Sequence, residues 1–271
     1  MGKLDGKVAI VTGAGRGLGR AYARRLAVLG AKIAVTDINL KSYEEFDAEA
    51  KSMTGDSTVA EIIAGGGEAI GIEMDVTDEH AVNAMAEQVM KTWGRIDILV
   101  ANAGGGRGRP VDTKASTLDS ALLHLVTSMN LYGTVYSVNA VAPFMKQQRS
   151  GKIVTVSSVA GLGPSTDGGY AHYGAAKAAI AHYTRYLAQD LGPHGINANC
   201  IAPGIITTGR IMATVMPNQA DANRDRTETV ALRRLGSVED CAKVVEFLCT
   251  DLSDYVTGQV IAIDGGMIRS V

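Results

Sequence analysis

The sequence has little excess charge, few aromatic residues and no long hydrophobic run. Its 26 basic residues nearly balance 28 acidic residues, for a net charge of −2. The basic residues do not cluster, so we expect no nucleic-acid partner. No apolar run approaches the ~20 residues of a membrane span, and residues 1–5 resemble no signal region. These absences predict a cytoplasmic protein with no membrane partner.

Cysteine and histidine are also sparse. The three cysteines, Cys200, Cys241 and Cys249, lack the paired spacing of metal ligands, and their odd number argues against a disulfide framework. We expect reduced thiols in the core or on helices. The five histidines form no H-E-x-x-H pattern, so no metal is expected.

Short runs rich in Val and Ile alternate with stretches of helical spacing such as residues 81–93 and 171–191. Such runs are typical of strands buried on both faces, and their alternation with helices indicates a parallel sheet. The sequence therefore predicts one α/β domain over residues 1–271, a Rossmann-type doubly wound parallel sheet of about seven strands with helices on both faces. The runs are residues 7–12, 32–37, 69–75, 96–102, 152–157, 196–202 and 259–264.

Two stretches break this alternation. Residues 40–67 and 207–235 have no clear period, and we expect both to be irregular. The second stretch contains Met212 and Met216, whose adaptable side chains suit an apolar pocket as well as core packing. It is the candidate substrate lid.

The first strand run ends in a glycine-rich turn, "TGAGRGLG", and a helical stretch follows it. Glycine lets a backbone approach a pyrophosphate closely, and a helix N-terminus supplies free N–H groups and partial positive charge. The spacing is T-G-x-x-x-G-x-G rather than the common G-x-G-x-x-G, and a plain tight turn is the alternative reading. The candidate phosphate contacts are Gly13, Arg16, Gly17, Leu18 and Gly19.

Two residues of opposite charge bear on the nucleotide. Asp37 ends the second strand run 18 residues after Gly19, where a carboxylate can accept hydrogen bonds from the adenine-side ribose. Arg16 instead suits a 2′-phosphate, but Asp37 would repel that group, whereas an exposed arginine is commonly only solvated. The sequence thus predicts NAD as cofactor, with NADP less favoured. Asp75 and Val76 close the third strand run, where Asp75 suits either an adenine amine or a turn cap.

Together these motifs resemble the classical short-chain dehydrogenase/reductase family, over residues 3 to about 267. Its glycine motif is matched as described, and its Asn-Asn-Ala-Gly motif is matched by Asn102, Ala103 and Gly104, with Ala101 in place of the first Asn. The Y-x-x-x-K signature is met by Tyr173 and Lys177, which one helical turn would place on the same face.

The resemblance implies a catalytic tetrad of Asn130, Ser158, Tyr173 and Lys177. Tyr173 would be the general acid/base, and the Lys177 ammonium would lower the phenol pKa and bridge to the nicotinamide ribose. Ser158 would bind the substrate oxygen and is preferred to Ser157, although Ser158 and Tyr173 are 15 residues apart, a longer spacing than usual in the family. Asn130 would order a water linked to Lys177; bonding to backbone at a helix kink is compatible with that role.

The resemblance also assigns the segment "APGIITT" to the nicotinamide side. The contacts that it implies are Pro203, Gly204, Ile205 and Thr208. Beside the signature, Tyr170 is either a pocket-lining or a surface turn residue. His172 is expected to be a solvated helix residue.

The implied reaction is reversible hydride transfer between a nicotinamide and a carbonyl carbon, with a neutral secondary alcohol or ketone as the substrate partner. The segment "GDST" resembles an insertion of the hydroxyacyl-coenzyme A dehydrogenase branch, so a hydroxyacyl or oxoacyl thioester is the second candidate. A non-catalytic nucleotide-binding regulatory protein is disfavoured because all four tetrad residues are present. Similar proteins imply a homotetramer or homodimer built from long helices around residues 116–146 and 171–191.

Overall fold

A seven-stranded parallel sheet forms the centre of the protein, which we describe from a computed structural model over residues 2–214 and 227–267. The spatial order is β3-β2-β1-β4-β5-β6-β7. The strand order therefore reverses between β1 and β4, with β2 and β3 on one side of β1 and β4 to β7 on the other. The predicted Rossmann-type fold is confirmed. The strands are β1 (Val8–Thr12), β2 (Lys32–Asp37), β3 (Ala69–Glu73), β4 (Ile98–Ala101), β5 (Gly151–Val156), β6 (Ile196–Pro203) and β7 (Val260–Ile263).

Helices cover both faces of this sheet. Within the described residues they are α1 (Gly17–Val28), α2 (Asp47–Ser52), α3 (Thr58–Ala64), α4 (Glu79–Trp93), α5 (Ser120–Thr127), α6 (Gly133–Gln148), α7 (Ala171–Leu191), α8 (Gly209–Thr214) and α9 (Val238–Cys249). A π-helical segment, Ser128–Tyr132, joins α5 to α6. None of the described helices combines the length and the apolar character needed to cross a bilayer.

Two buried clusters divide the core between the faces of the sheet. Successive strand residues point to opposite faces, so Ala9 and Val11 of β1 pack with α1 and α9, whereas Val8 and Ile10 pack with α4 and α6. All five residues of β1 are buried. Burial on both faces explains why this strand is continuously apolar, and it agrees with the position of β1 between β2 and β4.

The cysteines lie inside this core. Cys200, Cys241 and Cys249 are buried free thiols, as the sequence predicted. Burial raises the pKa of both Cys241 and Cys249 to about 12. A buried thiol that stays protonated is a packing group rather than a nucleophile.

The expectation that residues 40–67 are irregular is wrong, because they contain a 3-10 turn (Ser42–Glu45) and the helices α2 and α3. These helices have only six and seven residues, too few to display a helical period. Ser57 begins α3 by accepting a hydrogen bond from the Ala60 N–H. The candidate lid, residues 207–235, is described only at its two ends, and Met216 lies outside the described residues.

A buried ion pair joins residues 40–67, which we call the insertion, to α1. Arg20 donates from Nε to Glu61 Oε2 at 2.6 Å, and Glu61 Oε1 also accepts from the Thr54 N–H and hydroxyl at 2.7 and 2.8 Å. A second arginine nitrogen donates to the Ser52 carbonyl at 2.9 Å. Burial acts to raise the pKa of Glu61, but the hydrogen bonds from Arg20 and Thr54 outweigh it and bring the pKa to about 2.

We expect Glu61→Gln to lower the free energy of unfolding by about 2 kcal/mol at pH 7, less than a fully buried pair because Arg20 keeps some solvent contact. The folded pKa lies below the unfolded value, so the stabilisation is present above about pH 4.5 and is lost as the pH falls toward 2. Urea titrations of both proteins between pH 7 and 3 measure this difference, with Glu246→Gln at the more exposed Arg25 pair as control. A difference that stays constant with pH contradicts the assignment.

Candidate active site

Hydrogen bonds between Thr12 and Asn102 join the carboxyl ends of β1 and β4. The buried Thr12 hydroxyl accepts from the N–H groups of Asn102 and Ala103, both at 3.0 Å. The Asn102 side-chain amide donates to the carbonyls of Thr12 at 2.9 Å and Gly13 at 3.1 Å. Two of the residues predicted from the Asn-Ala-Gly motif therefore hold the glycine turn where the strand order reverses, the usual ligand crevice of this fold.

The turn itself requires glycine. Gly13 and Gly17 have φ angles of 64° and 56°, in the left-handed region. A Cβ on Gly19 would collide with the Gly13 carbonyl, so the first turn of α1 can pack this closely only without a side chain. Leu18 packs against the core beside them.

The first turn of α1 also fits an anion. No side chain caps the helix, whose N-cap residue is Arg16, so its leading N–H groups stay available to an external acceptor. Thr208 lies on the open side of Gly17, with its methyl carbon 3.8 Å from the position of a Cβ there. These residues suit a dinucleotide phosphate.

Asp37 is fixed at the end of β2. Its Oδ2 accepts from the Gly15 N–H at 2.9 Å and its Oδ1 from the Asn39 N–H at 3.3 Å. Burial raises the pKa of the carboxyl, against the opposing effect of these N–H groups and Arg16. The side chain is therefore held where the turn and β2 meet.

Arg16 is not simply solvated. Its guanidinium pairs with Glu45 at 3.4 Å and with Glu49 at 3.5 Å, and it lies 4.8 Å from the Phe46 ring centroid. These partners come from the insertion whose helices the sequence did not reveal. They neutralise the cation that would otherwise attract a 2′-phosphate.

Asp75 forms a local turn after β3. Its Oδ1 accepts from the N–H and the hydroxyl of Thr77, both at 2.8 Å. Asp75 therefore caps a turn, which is one of its two predicted roles, while adenine binding stays a prediction. Val76 packs against Gly133 at the start of α6, where a Cβ would be 2.8 Å from a Val76 methyl.

Tyr173 and Lys177 lie one turn apart on α7, as predicted. The Lys177 Nζ is 5.7 Å from the Tyr173 ring centroid and donates to the Val156 carbonyl at 2.7 Å. Burial lowers the pKa of Lys177 to about 8. A buried amine with this pKa changes its charge readily near neutrality.

Ser158, rather than Ser157, faces the tyrosine. Ser157 Oγ is buried and donates to the Lys177 carbonyl at 2.7 Å, so it fastens β5 to α7. Ser158 acts to lower the pKa of Tyr173, and its hydroxyl accepts from the Ala160 N–H at 3.2 Å. The longer spacing between Ser158 and Tyr173 has not separated the two side chains.

The expected lowering of the Tyr173 pKa is not seen. Burial raises this pKa above its ordinary value of 10, and the Ser158 hydrogen bond and the Arg210 charge oppose that effect only partly. The interpretation from sequence considered the ammonium but not the desolvation of the phenol. In this state Tyr173 is a protonated group suited to donating a proton.

Asn130 lies in the π-helical segment. Its amide donates to the carbonyls of Val126 at 2.8 Å and Gly105 at 3.0 Å, and its Oδ1 accepts from the Gly105 N–H at 3.0 Å. The side chain thus binds backbone, and the water-ordering role stays a prediction. The π-helical segment interrupts the helix expected around residues 116–146, and such turns are frequent at functional sites.

Tyr170 and His172 contact a loop beside Tyr173. The Tyr170 hydroxyl donates to the Gly108 carbonyl at 3.0 Å, and its ring meets the Tyr173 ring edge-on at 6.4 Å between centroids. Tyr170 therefore lies beside Tyr173 in the left-handed conformation of a turn residue, with φ of 57°, and its role in lining a pocket stays a prediction. The prediction of a solvated His172 is wrong, because its ring is fully buried, stacks on Tyr170 and contacts the Arg107 carbonyl at 3.0 Å.

The segment after β6 passes along the same edge of the sheet. Gly204 donates to the Ile263 carbonyl at 3.0 Å, and the Ile205 carbonyl accepts from Gly236 at 3.1 Å. The Thr208 hydroxyl accepts from the Ile211 N–H at 3.3 Å at the start of α8. Pro203 ends β6, so the predicted nicotinamide-side residues follow the strand end as expected.

Two residues of the site carry no sequence signal. Arg210, on α8, approaches Gly105 so closely that a Cβ there would collide with the guanidinium, and burial lowers the Arg210 pKa. Glu49, on α2, is buried against Arg16. Both residues lie in stretches without a clear period, and neither belongs to a sequence motif that would have predicted it.

The burial of Lys177 predicts a specific dependence of stability on pH. Between about pH 8 and 10.5 the unfolded chain retains a proton that the folded protein has lost, so this residue makes stability rise with pH. We expect Lys177→Met to remove up to about 3 kcal/mol of that rise. Denaturation of both proteins from pH 7 to 10.5 measures it. The control, Lys91→Met at an exposed site, should change stability equally at every pH.

The chain is similar to known proteins over nearly its whole length. A family profile described as enoyl-(acyl carrier protein) reductase matches residues 13–268. A cyclohexanol dehydrogenase of Rhodococcus sp. (strain TK6) is 54% identical over 98% of both chains. The 7alpha-hydroxysteroid dehydrogenase of Escherichia coli (strain K12) is 33% identical over 99% of this chain and 97% of its own.

Solved structures agree as well. Levodione reductase superposes with a TM-score of 0.84 at 33% identity, covering 97% of this chain and 98% of its own. A 7 alpha-hydroxysteroid dehydrogenase complexed with NADH superposes with a TM-score of 0.85 at 32% identity, covering 98% and 96%. The predicted oxidoreductase of CH–OH groups with a nicotinamide nucleotide is thereby confirmed. The chain belongs to the short-chain dehydrogenase/reductase family.

Proposed function

We propose that the protein is an NAD-dependent dehydrogenase of cyclic secondary alcohols, with Tyr173 as general acid/base. The observation that carries the proposal is the cluster of Tyr173, Ser158 and Lys177 beside the glycine turn at the reversal of strand order. A nicotinamide bound in this crevice would supply the hydride donor or acceptor.

The residues have complementary roles in this mechanism. Ser158 orients the substrate oxygen beside the Tyr173 hydroxyl and stabilises charge on it. Tyr173 gives its proton to that oxygen during ketone reduction and takes it back during alcohol oxidation. The buried Lys177, with a pKa near 8, is suited to passing this proton onward.

The surroundings of Tyr173 support a cyclic apolar substrate. The Tyr170 ring, half-buried and edge-on to Tyr173, offers an aromatic surface next to the reacting hydroxyl. The 54% identical relative is a cyclohexanol dehydrogenase, which favours a ring of similar size. The insertion that raised the thioester alternative packs on α1 through Arg20, so it gives the thioester no support. Residues 207–235 stay the proposed lid.

We expect turnover of NAD with cyclohexanol, and Tyr173→Phe should lower kcat/KM by about 10²–10⁴-fold because it removes the transferred proton. The matched control is Tyr170→Phe, which loses only the hydrogen bond to Gly108 and should stay within a few-fold of the native protein. Absorbance of reduced nicotinamide measures both, with hydroxyacyl thioesters as comparison substrates. Equal activity of native protein and Tyr173→Phe would refute the mechanism.

Asp37 and the paired state of Arg16 support NAD over NADP. A 2′-phosphate would meet the Asp37 carboxylate, while Glu45 pairs with Arg16.

We expect NADH to bind the native protein at least about 100-fold more tightly than NADPH, and Asp37→Asn to narrow that ratio by about tenfold. Asparagine keeps an acceptor for the Gly15 N–H while removing the charge. Titration of nicotinamide fluorescence with each nucleotide measures the ratio. An unchanged ratio in the variant would mean that Asp37 does not select the cofactor.

A further inference from the structure

The Glu49 carboxylate lies in front of the first turn of α1. Its Oε1 is 3.5 Å from the position that a Cβ on Gly17 would take, and its Cγ contacts Gly209 so closely that no side chain fits there. Thr208 bounds the same space. We call this space, between Gly17, Arg16 and Thr208, the α1 phosphate site.

The carboxylate is poorly satisfied in this position. The Glu49 side chain is only 8% exposed, and neither oxygen accepts a hydrogen bond from the described part of the chain. Its pairing with Arg16 at 3.5 Å lacks hydrogen-bond geometry. A buried carboxylate without hydrogen bonds is costly, so something other than its own bonding keeps it there.

Positive charge around the α1 phosphate site accounts for that position. Arg16 pairs with Glu49, the buried Arg210 interacts with it electrostatically, and the N-terminus of α1 adds partial positive charge. A phosphate would be attracted by these same groups. Because two anions cannot share one small site without strong repulsion, a phosphate and the Glu49 carboxylate must compete.

The Glu49 carboxylate can move away from the site while the insertion stays bound to α1. Arg20 fixes the insertion to α1 by bonding to Glu61 of α3 and to the carbonyl of Ser52, the last residue of α2, whereas Glu49 lies one turn before Ser52. Extended residues, Phe46 and Met53, flank α2 on both sides. The carboxylate can therefore leave the site by rotation of the Glu49 side chain, while the bonds from Arg20 to Ser52 and Glu61 stay in place.

Resting on the proposed nucleotide-dependent function, we propose that Glu49 occupies the α1 phosphate site in the free protein and is displaced by the dinucleotide phosphates. Glu49 is then an affinity-determining residue that weakens nucleotide binding, since only the fraction of protein with an open site can bind. Release of the nucleotide is favoured by the same return of the carboxylate.

The experiment is a binding titration of the native protein and Glu49→Gln, which keeps the shape and removes the charge. We expect NADH, followed by its fluorescence, to bind the variant about tenfold more tightly. ADP and inorganic pyrophosphate, measured by displacement of NADH, should gain by a similar factor. Adenosine carries no phosphate, so its affinity should not change.

The matched control is Glu45→Gln, which removes a carboxylate from the same Arg16 but at a side chain that is 57% exposed. It should leave NADH affinity within about twofold of the native value. Glu49→Ala provides a second variant should the glutamine amide disturb the fold, and it should give the same ordering of ligands.

The other outcomes overturn the proposal in distinguishable ways. Weaker or unchanged NADH binding by Glu49→Gln would mean that the carboxylate does not compete with phosphate. An equal gain for adenosine would indicate a general change of the cleft. Absence of NADH binding by the native protein and every variant would overturn the proposed nucleotide-dependent function as well.

Discussion

The hydrogen bonds between Thr12 and Asn102 are the constraint on which the site depends. They join two strands whose chain continuations run to opposite sides of the sheet, and so they hold the crevice at a fixed width. The glycine turn on one strand and the Asn-Ala-Gly segment on the other gain their positions from this contact. The residues proposed to contact the nucleotide and the substrate, from Asp37 to Tyr173, lie around the ends of β1 and β4.

Charge inside the crevice is organised in two zones. Near the glycine turn, Arg16, Glu45, Glu49 and Arg210 form a set in which acid and base are nearly balanced. Near Tyr173, burial dominates, because it raises the phenol pKa and lowers the Lys177 pKa. Desolvation thus shifts both groups toward their neutral forms, so a proton that leaves Tyr173 leaves a charge that the surroundings must stabilise.

The fold and most of the site were predictable because their signals are local or periodic. Continuous apolar runs revealed all seven strands, and the tyrosine and lysine four residues apart implied a shared helix face. The helices α2 and α3 were not predicted because six or seven residues cannot display a helical period. Glu49 and Arg210 were missed because they lie in stretches that the sequence predicted to be irregular. His172 was misjudged because neighbouring sequence does not reveal that a distant loop covers its ring. The pKa of Tyr173 depends on burial, which only the three-dimensional structure supplies.

Gly105 lies between two parts of the molecule that are distant in sequence. Its backbone bonds to the Asn130 amide in the π-helical segment, its φ of 152° disfavours any side chain, and the Arg210 guanidinium fills the space beside its Cα. The backbone of one residue therefore sets both the register of the α5–α6 helix pair and the approach of α8. A methyl group at this position would displace the Arg210 guanidinium and strain the backbone that bonds to Asn130, so one substitution here would alter both sides of the crevice.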